Sequence, residues 1–138
     1  QVIDSEDQVQ IYEVIFVDVN GNLTTGLLNA YEYRKDNRLL PEGFDKLSAS
    51  PEVEVHGQAL KDDDFIGGTD RLRYKVDLDI AQGPFIVTAQ VFYQTIGYRW
   101  MENLRAYNLP ETDQMAAYYD VVPNHPVMLA RAVQEVGE

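Results

Sequence analysis

The chain has 138 residues, 45 % hydrophobic side chains, no cysteine and a formal net charge of −12. Its length and apolar content suit one folded domain over residues 1–138 with a sizeable core, and they exclude a disordered composition. The balance of 11 basic against 23 acidic side chains argues against nucleic-acid binding and anionic membranes, and the lack of cysteine excludes disulfides, zinc-thiolate sites, cysteine nucleophiles and covalent haem attachment.

The first strong pattern runs from Val9 to Val17. It is rich in β-branched and aromatic residues on both faces, as in a strand inside a sandwich. Asn20-Gly21 is a hairpin signal, because both residues accept positive φ at a tight turn. Leu23 to Tyr33 is then the returning strand, interrupted near Gly26.

Pro41, Gly43 and Pro51 break regular structure, so residues 36–53 read as a long connection pinned by Leu39, Leu40 and Phe44. Glu52 to Gly57 is a candidate short strand. From Leu72 the alternation is regular, with Leu72, Tyr74, Val76, Leu78 and Ile80 on one face and charged residues on the other. Gln82-Gly83 turns the chain into a further β-run, Pro84 to Ile96, and the two runs read as a second hairpin.

The period then changes. The stretch from Tyr98 to Tyr107 suits a short helix with Trp100, Leu104 and Tyr107 on its apolar side. A second helix follows, opened by Pro110 with acids in its first turn and closed by Pro123 and Pro126. Its apolar side would carry Met115, Tyr118 and Tyr119. Residues 127–133 return as a last strand. The expected fold is all-β: an antiparallel β-sandwich with a short helical insertion before the last strand.

Asp62, Asp63, Asp64 and Asp70, with Thr69 beside them, offer oxygens of the kind calcium takes, and Gly67-Gly68 would let the backbone turn around an ion. A solvated acidic loop explains the same residues with fewer demands, since adjacent carboxylates repel and no ligand spacing is evident. Asp18, Asn20 and Asn22 begin like an EF-hand loop, but Leu23 stands where that loop needs glycine and Asn29 where it needs a bidentate acid. The hairpin reading replaces it. His56 and His125 lie in no triad or metal motif, and no G-x-S-x-G elbow exists. No catalytic residue is assigned, and the chain reads as a non-enzyme.

Tyr93, Tyr98, Trp100, Tyr107, Tyr118 and Tyr119 form the candidate interaction set. Exposed aromatics could anchor a protein interface or stack on sugars. Docking of the helices against one end of the sandwich is the stronger explanation, with Arg99 and Arg105 supporting it through carboxylate pairs.

Four segments carry a resemblance: KDNRLLPEGFD (35–45), DFIGGTDRLRYKVDL (64–78), VFYQTIGYRWMENLR (91–105) and VMLARA (127–132). As an ordered set they resemble the C-terminal region of large exported bacterial proteins related to multihaem cytochromes c, in which a cysteine-free β-rich region follows the haem motifs. The resemblance carries no site residues. It implies a periplasmic or extracellular setting and an accessory domain that docks or orients the other domains of its parent, or a protein partner. Haem would reside only in the parent, with no cofactor in this domain. The alternative is a calcium- or carbohydrate-binding sandwich module. No membrane insertion is expected, since no apolar run approaches the roughly 18 residues of a span. No signal peptide is evident, and Gln1, in place of an initiator methionine, reads as the cut end of a longer or processed polypeptide.

Overall fold

The computed structural model describes residues 1–122 and 124–137. Pro123, one of the two prolines expected to end the second helix, lies outside the described residues. The chain is β-rich with two short helices and divides into two compact units, Gln1–Asp77 and Leu78–Glu138.

In the first unit the strands are short: β1 (Val2–Ile3), β2 (Val14–Val17), β3 (Leu23–Thr24), β4 (Glu32–Asp36) and β5 (Arg73–Tyr74). The Asn20-Gly21 hairpin forms as expected, with Phe16 opposite Thr24 and Val17 opposite Leu23. Its turn is organised by Asp18. The Asp18 amide donates to Asn22 O at 2.8 Å, and Oδ1 accepts the amides of Asn20 at 2.8 Å and Asn22 at 2.9 Å. Gly21 takes φ +82°, and it is the only residue of this turn with positive φ.

The returning strand is not continuous. After Gly26 the chain makes a further turn and comes back as β4 on the other edge of β2, so the sheet order is β3-β2-β4 and every pair is antiparallel. Only Val14–Val17 of the expected Val9–Val17 strand is regular. Before it, the Asn37 side chain takes the place of a neighbouring strand: Oδ1 accepts the Glu13 amide at 2.9 Å and Nδ2 donates to Ile11 O at 3.0 Å. Backbone groups satisfied in this way need no ladder.

Ile3, Val17, Val55 and Phe65 are the buried apolar side chains of this unit. Around them Phe16 tilts against Tyr33 at 4.7 Å, and Tyr33 stacks on His56 at 4.6 Å. The expected strand at 52–57 is reduced to an isolated bridge between Asp36 and His56, followed by a 3-10 turn over Gly57–Lys61.

The strand expected from Leu72 to Ile80 shrinks to β5, which pairs in parallel with β1. Tyr74, Val76, Leu78 and Ile80 are exposed. An alternating pattern marks a face able to be buried, and of this one only Leu72 is half-buried among the described residues.

In the second unit β6 (Phe85–Tyr93) does not pair back through Gln82-Gly83. It pairs antiparallel with β7 (Val127–Val136), in a register running from Phe85 opposite Val136 to Tyr93 opposite Val127. Between them lie α1 (Tyr98–Arg105) and α2 (Pro110–Val121). The sheet therefore has two strands, and the helices are an excursion from its tip. Every residue of β7 is exposed, as is all of β6 except half-buried Phe85. The register places Phe85, Val87, Ala89 and Val91 on one face with Val136, Gln134, Ala132 and Ala130, while Ile86, Thr88 and Gln90 share the other with Glu135, Val133 and Arg131.

Candidate functional site

The helical excursion is fixed at both ends by short-range bonds. Asn124 Nδ2 donates to Ile96 O at 2.7 Å, and Gln94 Nε2 donates to Asn124 O at 3.3 Å, closing its base. At the start of α2, Pro110 occupies the first turn, where its missing N–H costs nothing. Thr112 Oγ1 accepts the Leu109 amide at 3.2 Å and donates to Tyr107 O at 2.6 Å, so a buried hydroxyl ties the linker to the helix. Acids at positions 111 and 113 complement the helix N-terminus.

Arg105 joins the two helices. Its guanidinium reaches Asp120 through Nη1 at 3.3 Å and Nη2 at 2.5 Å, pairs with Glu102 at 3.2 Å, and lies 5.9 Å from the Tyr119 ring. Asp120, first among the causes, raises the Arg105 pKa further. The expected supporting role of Arg105 therefore has a geometry.

The aromatic side chains do not fill the end of a core. Met101 is the fully buried residue of α1, whereas Trp100, expected on the packed side, is 43 % exposed and Tyr98 68 %. A helix turns about 100° per residue, so Met101 and Trp100 look in different directions. Tyr93, Tyr107 and Tyr118 are also exposed, and Tyr119 is half-buried. Tyr118 accepts a bond from Gln114 Nε2 at 2.8 Å. The candidate set thus presents several ring surfaces to water from one short segment. Met101 was the residue sequence reasoning missed; its three-residue spacing to Leu104 is as helical as that of Trp100.

Asp62 Oδ1 accepts the Asp64 amide at 3.2 Å. Asp64 pairs with Arg73 at 3.1 Å and Arg71 at 3.9 Å. Asp63 is exposed. Asp70 Oδ2 accepts the Tyr12 hydroxyl at 2.7 Å, while its Oδ1 is buried without a hydrogen-bond partner. Among the described residues no three acids or histidines gather as a metal group.

Gly67-Gly68 packs against the 36–53 connection. Gly68 N donates to Leu40 O at 2.9 Å, and a Cβ on Gly67 would stand 2.7 Å from Phe44 O. His56 Nε2 lies 3.5 Å from Glu54 and has no hydrogen bond, and His125 is exposed in the loop before β7. A surface depression of about 740 Å³ lies beside Gln1, Asp7, Gln8, Lys61 and Asp62.

No family model matches this chain, and no curated protein or solved structure matches it. No helix among the described residues is long and apolar enough to cross a membrane.

Proposed function

We propose that this chain is a non-catalytic accessory domain of an exported bacterial protein related to multihaem cytochromes c, docking or orienting its partner module through the segment Tyr93–Tyr119. The observation that carries this reading is the exposure of Tyr98, Trp100, Tyr107 and Tyr118 on one helical excursion, with Tyr93 at the end of β6 beside it, the excursion being bonded at its base and between its helices. Aromatic side chains supply large contact area with few rotatable bonds, which is why they concentrate at interface centres. The finer fold belongs to the same proposal: a second layer over the apolar face of β6 and β7, supplied on docking, would complete an antiparallel sandwich. Haem belongs to the parent, and the setting is periplasmic or extracellular.

Two measurements test this. A visible absorption spectrum of the complete natural polypeptide after denaturation should retain a haem Soret band, and its absence sinks the cytochrome context. Trp100→Ala should weaken association with the parent's remaining domains by more than it destabilises the isolated chain, whose melting temperature is read alongside. Loss of stability with unchanged association would contradict the docking role.

A second reading is calcium binding at Asp62–Asp64 and Asp70. What favours it is the unpartnered Asp70 Oδ1. Calcium at 100 times its dissociation constant would stabilise the fold by about 2.7 kcal/mol, and an unchanged melting temperature at millimolar calcium removes the reading.

A further inference from the structure

We propose that two copies of this chain pair through the free edge of β7, antiparallel and centred on Val133, to give a four-stranded sheet in the order β6-β7-β7-β6. The proposal concerns a sheet edge and does not rest on the docking role of the aromatic segment.

The first observation is the open edge. Among the described residues β7 has one strand neighbour, β6, and all ten of its residues are exposed. A lone two-stranded ribbon is marginal in water, whereas three or more strands with an apolar face are not. Proteins guard such edges with lysine, proline, inward charges or brevity. From Val127 to Val136 there is no lysine and no proline, and the strand is long.

The second observation selects a copy of this chain as the occupant. The two strands carry one cation, Arg131, and one anion, Glu135, so the ribbon is neutral within a chain of net charge −12. Within the ribbon these charges meet no opposite charge: Arg131 faces Gln90 and Glu135 faces Ile86. They share a face but lie four residues apart, about 13 Å along a strand, too far to pair with each other. Val133 stands midway between them. A two-fold axis at Val133 places Arg131 opposite the partner's Glu135 and Glu135 opposite the partner's Arg131, so that each charge gains one opposite charge in two symmetric pairs.

The third observation concerns register. The ladder is irregular where Val91 faces Ala130 and Phe92 faces Met128, leaving Leu129 unopposed. The regular edge therefore runs from Ala130 to Val136, and Val133 is its midpoint. The same axis that matches the charges overlays the whole regular edge on itself. It also joins the largely apolar faces of two ribbons, each carrying Gln134, into one.

The test is the mass of the 138-residue chain in solution by light scattering across the micromolar range. The expected result is a dimer that Arg131→Glu weakens about tenfold or more, since both symmetric pairs become repulsive. The double variant Arg131→Glu/Glu135→Arg restores it. Arg131 is exposed, and circular dichroism checks that the variants fold. Because the chain has no cysteine, Val133→Cys supplies a single thiol that should cross-link two copies on mild oxidation. A monomeric native chain would leave the edge to a strand of another protein and overturn the proposal. So would a dimer indifferent to charge reversal, or a failure of Val133→Cys to cross-link.

Discussion

The Tyr12 hydroxyl donates to Asp70 Oδ2 at 2.7 Å, joining residues 58 positions apart beside the buried Phe65 ring. The bond connects the segment before β2 to the end of the acidic loop. Tyr12→Phe takes that donor from Asp70 Oδ2 and should cost about 1–2 kcal/mol of stability, read from the urea midpoint.

The same pair gives a pH dependence. Burial, then the hydrogen bond to Asp70, pushes the Tyr12 hydroxyl well above its ordinary value. The folded chain therefore keeps a proton that the unfolded chain releases above about pH 10. Stability from this group is fully present below that pH and is lost as pH rises beyond it. The native chain should lose more stability between pH 8 and about pH 10.5 than Tyr12→Phe does, a comparison that cancels the other tyrosines.

Asp18 predicts the opposite direction. The amide of Asn22 first, with that of Asn20 behind it, holds the Asp18 carboxyl below its ordinary value. The turn's contribution is present above about pH 4 and is lost as pH falls through the lowered value. Asp18→Asn keeps an oxygen acceptor without the charge, so its melting temperature should fall less on acidification than that of the native chain.

Gly67 admits no side chain. A Cβ there would meet Phe44 O at 2.7 Å, Phe44 N at 2.8 Å and Pro41 O at 2.9 Å, all backbone atoms. Gly67→Ala must displace the Pro41–Phe44 turn and should cost about 2–3 kcal/mol. Gly97→Ala is its control: nothing lies within 4 Å and φ is −65°. Its melting temperature should stay close to that of the native chain.

Met101 and Trp100 separate packing from presentation. Met101→Ala empties a fully buried position and should cost about 2–5 kcal/mol. Trp100→Ala should cost less than Met101→Ala, because Trp100 is already 43 % exposed to water. Thermal melts of the two variants check the assignment of the helix faces.

How much of this was legible follows from what each signal encodes. Asn20-Gly21 located its hairpin because a turn needs only local chemistry. Pro110 and the acids after it located α2 for the same reason. The alternation from Leu72 to Ile80 gave no partner, because a period of two says that a face can be buried and not what buries it. β5 was thus overread, and β6 found β7 across the helical excursion rather than its neighbour in sequence. The split of the returning strand to both edges of β2 was hidden because the break near Gly26 does not say where the chain goes next. In the candidate site, the aromatic residues were legible as a set but not as exposed. Trp100 and Met101 are equally good helix-face residues in sequence, and only packing decides between them. The acids of the loop were visible, but Tyr12, Arg71 and Arg73, which engage them, carry no local signal of doing so.

The central claim is that Tyr93–Tyr119 is a docking surface, bare in the isolated chain and covered in the complete natural polypeptide. Hydrogen–deuterium exchange of both, followed by mass spectrometry of the same peptides, measures this directly. Exchange across Tyr93–Tyr119 should slow markedly in the complete polypeptide, while peptides around the Phe65 core stay as they were. Identical exchange of Tyr93–Tyr119 in the two preparations would contradict it.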